Sequence, residues 1–171
     1  MDQDQLVFLV SQPRAGSTLL QKLIANSPEI NTASEPWLLL PFLSVFREGA
    51  IEADYRHVIA RRGILDYLQK FNLQETYKKG LADLILKLYP LEASHAYFLD
   101  KTPRYYEVLK EIVEIFPHSK ILILKRHPFD ALHSMIQTWS KGGFSPTLLT
   151  TFYRDFTVGP KNIQSFLNSP I

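Results

Sequence analysis

Two short runs, Leu6-Val7-Phe8-Leu9-Val10 and Ile121-Leu122-Ile123-Leu124, are apolar at every position and end in polar loops. An unbroken apolar run of this length, in place of alternation, is the pattern of a strand covered on both faces, as in a parallel sheet. Each run is followed within a few residues by a helical pattern. After the first, Ser11 to Gly16 make a short connection, then Leu19, Leu20, Leu23 and Ile24 recur at helical spacing until Asn26-Ser27-Pro28. After the second, Pro128 suits a first helical position. Phe129, Leu132, Ile136 and Trp139 then form the expected core face of a helix that Gly142-Gly143 ends.

The intervening chain is mostly helical. Residues 51 to 71 carry a weak helical pattern, and Tyr77, Leu81, Leu84, Ile85 and Leu88 form one apolar face ended by Pro90. Tyr97-Phe98-Leu99 reads as a short strand. Thr102-Pro103 opens a helix, with Thr102 as N-cap and Tyr105, Val108, Leu109, Ile112 and Phe116 as its core face. Residues 147 to 167 predict a last helix with a break near Gly159-Pro160. Strands alternating with helices predict an α/β fold, a parallel sheet flanked by helices, with a helix-rich insertion between the first strands. The 171 residues, 46% apolar and 21% charged, suit one globular domain over 1–171.

Charge and cysteine content remove several function classes. A net charge of +2 with no Lys/Arg run gives no nucleic-acid footprint. The absence of cysteine excludes thiol catalysis, thiolate metal sites and disulfides. The five histidines show no H-x-x-x-H spacing, so no metal is expected. The N-terminus is acidic and its apolar run short, unlike a signal peptide. The longest apolar run, Trp37 to Leu43, is too short for a membrane helix and contains Pro41. A soluble cytoplasmic protein with no membrane partner is expected.

Four constellations could carry chemistry. Pro13-Arg14-Ala15-Gly16-Ser17-Thr18 lies between a strand and a helix, where free amides and the helix dipole favour an anion. It is also compatible with an ordinary turn capped by Ser17. Arg126 leaves the second apolar strand and Ser134 follows eight residues later. Together they could hold a second phosphate, or be a surface Arg and a solvated Ser. Lys101, in Asp100-Lys101-Thr102-Pro103, ends a strand and could point into the crevice where open α/β sheets bind ligands, or be a surface residue. Glu35 precedes Pro36, which favours an extended backbone; it could serve as a general base or as a helix-dipole partner. Trp37, Leu38, Leu39 and Phe42 could line an apolar acceptor pocket, with a core helix as the alternative.

In this order, the four pieces resemble the sulfotransferases that use 3′-phosphoadenosine 5′-phosphosulfate (PAPS). Pro13 to Thr18 matches that family's P-[RK]-[SA]-G-[ST]-[ST] loop, and Arg126 with Ser134 matches its second signature. Glu35 stands seven residues after Pro28, and Lys101 precedes the helix leading to the Arg126 strand, as in protein-tyrosine sulfotransferases and related bacterial enzymes. The resemblance implies a P-loop-like three-layer fold. It also implies a role for each residue. Arg14, Ala15, Gly16, Ser17 and Thr18 would bind the 5′-phosphosulfate, and Arg126 and Ser134 the 3′-phosphate. Glu35 would be the base, and Lys101 with Arg14 would neutralise developing charge. The acceptor would be hydroxyl-bearing: a small molecule, a carrier-bound acyl chain or a peptide. Pro103 stands where the phenol and steroid sulfotransferases carry a catalytic His, which favours Glu35 as base. Family members usually run to about 250 residues or more, so the chain is expected to lack a C-terminal segment. Two alternatives remain: a catalytically incomplete nucleotide-binding remnant, and a P-loop small-molecule kinase. The kinase would need a Lys after the glycine, where this chain has Ser17.

Overall fold

The computed structural model describes residues 1–47, 56–140, 143 and 146–169. Of the sequence expectations, the 51–55 part of one helix and Gly142 lie outside the described residues. Four strands form one sheet: β1 (Leu6–Ser11), β2 (Ile30–Ser34), β3 (Tyr97–Lys101) and β4 (Lys120–Leu124). Their order is β2-β3-β1-β4, and every pairing is parallel. The helices are α1 (Ser17–Ile24), α2 (Leu39–Leu43), α3 (His57–Lys70), α4 (Gln74–Leu88), α5 (Leu109–Ile115), α6 (Pro128–Trp139) and α7 (Pro146–Leu167).

Strand β1 is central and buried along its whole length. Its side chains alternate between two cores, as the period of two requires. Leu6, Phe8 and Val10 enter the larger core, with residues of α2, α4, α5 and α7. Val7 and Leu9 join Leu99 in a smaller one, against Leu20 and Ile24 of α1. The result is the three-layer α/β arrangement expected from the unbroken apolar run.

Strand β4 departs from that expectation. It pairs only with β1 among the described residues, and Leu122 is 39% exposed. An apolar run reads the same whether its strand is interior or at an edge, and position in the sheet is set by the rest of the chain. The expected core face of α6 shifts for the same reason. Phe129 and Trp139 are exposed, and Ala131 and Met135 are the buried residues. On α1, Leu19 and Leu23 are exposed, while Gln21 is buried. Gln21 Nε2 donates to Thr32 Oγ1 at 2.7 Å and to the Ala33 carbonyl at 2.9 Å, which anchors β2. On α4, Leu81 and Ile85 are buried, but Leu84 and Leu88 are exposed. The helix-rich segment, α2 to α4, lies between β2 and β3.

Strand β2, Ile-Asn-Thr-Ala-Ser, has no sequence signal of its own because it is polar and at an edge. The helix expected from Thr102 begins as a 3₁₀ turn (Pro103–Glu107) before α5. Thr102 does not cap it, and donates to Asp100 Oδ1 at 2.9 Å instead. Helix α7 runs unbroken through Gly159 and Pro160, contrary to the expected break. Gly159 lies against the Tyr106 ring, where an added Cβ would stand 3.1 Å from Cε1.

Asp100 organises the base of the site. It is fully buried and accepts hydrogen bonds from Tyr89 (2.5 Å), Tyr105 (2.8 Å) and Thr102. Burial next to Asp100 raises both phenol pKa values, so both act as donors. Burial also pushes the Asp100 carboxyl above the usual range, opposed by its three hydroxyl donors and by Lys101. The Tyr105 hydroxyl in addition accepts the Leu39 amide at 3.2 Å, which ties the start of α2 to the end of β3. Tyr105→Phe removes both links. It is expected to lower unfolding free energy by about 1–3 kcal/mol, the cost of orphaning buried polar groups. A urea titration reads this directly, and an unchanged midpoint would mean the network is not stabilising.

Candidate functional site

Parallel strands aim all their carboxyl ends at one edge of the sheet, so the four following loops meet there. The loop after β1 carries Arg14 to Thr18, and the loop after β2 carries Glu35 and Trp37. The turn after β3 carries Pro103 and Arg104, and the loop after β4 carries Arg126. With Pro13, and with Ser134 and Trp139 of α6, they surround one cavity of about 320 Å³.

The first loop is shaped by backbone conformation. Gly16 caps α1 with φ of +100°, a region that side-chain-bearing residues rarely adopt. Arg14 also has positive φ, 64°, and so does Trp37, 58°. Both are cavity residues held in a region that costs about 1–2 kcal/mol for an L-residue. The Arg14 turn is braced on both sides. The Ala15 amide donates to the Gln12 carbonyl at 3.2 Å, and Arg126 Nη1 donates to the Arg14 carbonyl at 3.0 Å. The first amides of α1 have no acceptor within the helix and stay available to an anion.

Arg14 Nε donates to Ser134 Oγ at 3.2 Å, and its guanidinium lies 5.9 Å from the Trp139 ring centroid. Trp139 in turn stacks on Phe152 of α7, with centroids 4.5 Å apart. Arg14 thus forms one polar cluster along the cavity wall with Arg126 and Ser134, more than a hundred residues away.

The opposite wall is set by strand register. Ser34 pairs with Lys101 across β2 and β3, so Glu35 emerges beside the Lys101 side chain. Lys101 is 2% exposed. Its Nζ donates to Glu35 Oε1 at 2.5 Å and to Thr18 Oγ1 at 3.3 Å. One ammonium therefore links the carboxylate to the start of α1. It reaches the cavity from behind, and Glu35, partly exposed, lines it.

Each residue singled out in the sequence can now be placed. Arg14, Gly16, Ser17, Thr18, Glu35, Arg126 and Ser134 line the cavity, and Lys101 contacts two of its walls. Ala15 does not line it; its side chain is buried and it serves the turn. Of the four residues after Glu35, Trp37 lines the cavity, while Leu39 is core and Leu38 and Phe42 pack against the core. Among the described residues, no cluster of three or more His, Asp or Glu is placed to hold a metal ion.

Beyond Trp139, which was expected in the core but lines the cavity, two residues were not assigned to the site from the sequence. Arg104 lines the cavity, and Asp155 of α7, 1% exposed, holds it. Arg104 Nε and Nη2 donate to the two Asp155 carboxylate oxygens at 3.0 and 2.8 Å. That carboxylate raises the already high pKa of the guanidinium. Asp155 also accepts the Tyr106 hydroxyl at 2.5 Å, and its backbone carbonyl accepts Gln12 Nε2 at 3.0 Å. The signal was Arg104 itself, three residues after Lys101; its carboxylate partner lies fifty-one residues on, beyond any local pattern.

The family model described as "Sulfotransferase family" matches residues 6–165. Among curated proteins, the chain is 29% identical over 141 residues to nodulation protein NoeE of Sinorhizobium fredii (strain NBRC 101917 / NGR234), covering 78% of the chain and 32% of that protein. It is 24% identical over 131 residues to protein-tyrosine sulfotransferase 1 of Danio rerio, covering 77% of the chain and 35% of that protein. The chain spans about a third of the length of these two relatives.

Proposed function

Because the chain belongs to the sulfotransferase family, we propose that it transfers a sulfuryl group from PAPS to an acceptor hydroxyl, with Glu35 as general base. The observation that carries this reading is the joining of two anion-binding ends in one cavity that also holds a carboxylate–lysine pair. The 5′ end is the loop from Arg14 to Thr18, and the 3′ end is Arg126 with Ser134. Arg14 bridges them, through its carbonyl to Arg126 and through its guanidinium to Ser134. A nucleotide phosphorylated at both the 3′ and 5′ positions needs two such ends. A nucleoside triphosphate concentrates its charge at one.

The chemistry asked of these residues is positioning and charge stabilisation. Glu35 takes the proton from the acceptor hydroxyl. The acceptor oxygen forms a bond to sulfur as the bond from sulfur to the 5′-phosphate oxygen breaks, leaving adenosine 3′,5′-bisphosphate. Lys101 and Arg14 meet the charge that develops on the transferring group and the leaving phosphate. Lys101 already bridges Glu35 and Thr18, so base and anion loop are held in one frame before substrate arrives. No step requires a metal ion.

The test uses ³⁵S-labelled PAPS with a phenol as acceptor, in the presence and absence of EDTA. Labelled sulfate ester and bisphosphate should appear in equal amounts, with or without the chelator. Binding of PAPS without transfer to any hydroxyl acceptor would favour the remnant reading. Phosphoryl transfer from ATP–Mg²⁺ would overturn the assignment in favour of a kinase.

A further inference from the structure

The Arg104–Asp155 pair is not used by the reaction described above, and it lines the same cavity. We infer that Arg104 is a specificity-determining residue that hydrogen-bonds a neutral oxygen of the acceptor, and that Asp155 is the positioning residue that aligns it and cancels its charge. The inference rests on the sulfotransferase reading and adds the class of acceptor.

Three observations carry it. First, Arg104 has donors to spare. Asp155 takes Nε and Nη2, and Nη1 has no partner among the described residues, while the side chain is 37% exposed and lines the cavity. A guanidinium locked by a two-pronged carboxylate contact presents its remaining N–H groups in a fixed direction.

Second, Arg104 is bonded separately from the groups assigned to the donor. Its hydrogen bonds go to α7, whereas Arg14, Arg126 and Ser134 are bonded to one another. Both ends of the donor already have cationic partners without it.

Third, the charges favour a neutral ligand. Asp155 is buried against Arg104, so the pair is close to electroneutral. Among the described residues, the other charged groups at the cavity are Arg14, Lys101 and Arg126, against Glu35. A donor anionic at both ends consumes that positive balance. What remains for the acceptor is a directional donor without net charge, in a cavity that Trp37 and Trp139 also line. Such a group suits a hydroxyl or carbonyl oxygen. An acidic acceptor would need an uncompensated cation.

Asp155 does more than neutralise. Its carbonyl holds Gln12, just before the anion loop, and its carboxylate holds Tyr106. Arg154 beside it pairs with Glu107 through two hydrogen bonds, at 2.8 and 2.6 Å. Helix α7 is thereby fixed to the turn that carries Arg104.

The experiment uses a matched pair of phenols, neutral 4-hydroxyphenylacetamide and anionic 4-hydroxyphenylacetate. Their affinities are measured by NMR on protein loaded with adenosine 3′,5′-bisphosphate, whose own affinity is first measured by calorimetry. The wild type should bind the amide more tightly than the acetate. Arg104→Gln should weaken the amide roughly tenfold, the scale of one hydrogen bond to a charged group, with bisphosphate affinity unchanged within about twofold. Asp155→Asn keeps the side-chain shape but exposes the guanidinium charge. It should shift the acetate-to-amide preference toward acetate by about tenfold or more, a reversal that a purely structural Asp155 would not cause.

Several outcomes overturn the inference. An Arg104→Gln loss of bisphosphate affinity as large as that of Arg126→Ala would place Arg104 on the donor. An unchanged acetate-to-amide ratio in Asp155→Asn, or no binding of either phenol to the loaded wild type, would remove the acceptor role. Failure of the wild type to bind bisphosphate would instead defeat the sulfotransferase reading itself, and that is read before any variant.

Discussion

Glu35→Gln should reduce sulfuryl transfer by roughly 100- to 10,000-fold, the range for loss of a positioned general base. It should leave bisphosphate affinity within about twofold. Gln retains an oxygen that can accept from the Lys101 ammonium, so the frame linking Lys101 to Thr18 survives. The affected quantity is therefore kcat rather than donor binding. Among the described residues, Glu35 is the one carboxylate lining the cavity, and β2–β3 register puts it within 2.5 Å of a buried ammonium. Initial rates with labelled PAPS, beside a calorimetric titration of the same variant, separate the two. Retained turnover would remove Glu35 as base. Loss of bisphosphate binding would make it part of the donor site.

Arg126→Ala should weaken adenosine 3′,5′-bisphosphate by about 30- to 100-fold, corresponding to about 2–3 kcal/mol for hydrogen bonds between charged groups. It should leave AMP affinity nearly unchanged. The contrast follows from position. Arg126 follows β4 and lines the cavity, and in the proposed role it would meet the 3′-phosphate, which AMP lacks. Arg126 also braces the Arg14 carbonyl, at a residue of positive φ. Equal losses for both nucleotides would mean that this brace, and not a 3′-phosphate contact, is its main role. Calorimetry with the two ligands decides it.

The sequence made the layers of the fold legible where local pattern and packing agree. The Leu6–Val10 run is a fully buried strand, and Tyr105, Val108, Leu109, Ile112 and Phe116 are all buried as their spacing requires. It failed where context decides. Strand β2 is held by Gln21 and by pairing with β3, neither of which leaves a trace in Ile-Asn-Thr-Ala-Ser. Strand β4 reads as interior because apolar runs do not record how many neighbours a strand has. Thr102 and Pro160 are local helix signals that buried contacts override: the Asp100 bond for one, the packing of Gly159 on Tyr106 for the other.

The candidate site was legible for a different reason. Loops at strand ends carry their chemistry in short motifs, so Arg14 to Thr18, Glu35, Lys101, Arg126 and Ser134 could be named before their geometry. Sequence could not show that Arg14 bonds to both Ser134 and Arg126, or that Lys101 reaches both Glu35 and Thr18. Nor could it pair Arg104 with Asp155. These are long-range contacts of ordinary surface-type residues, and only the fold brings them together.

The central claim is that the cavity is a two-ended site for a nucleotide phosphorylated at both positions. A calorimetric titration of the protein with adenosine 3′,5′-bisphosphate, AMP and ATP–Mg²⁺ tests it most directly. The account expects one bisphosphate per chain, bound at least about 30-fold more tightly than AMP, with no preference for ATP–Mg²⁺. Equal affinity for bisphosphate and AMP, or tighter binding of ATP–Mg²⁺, would contradict it.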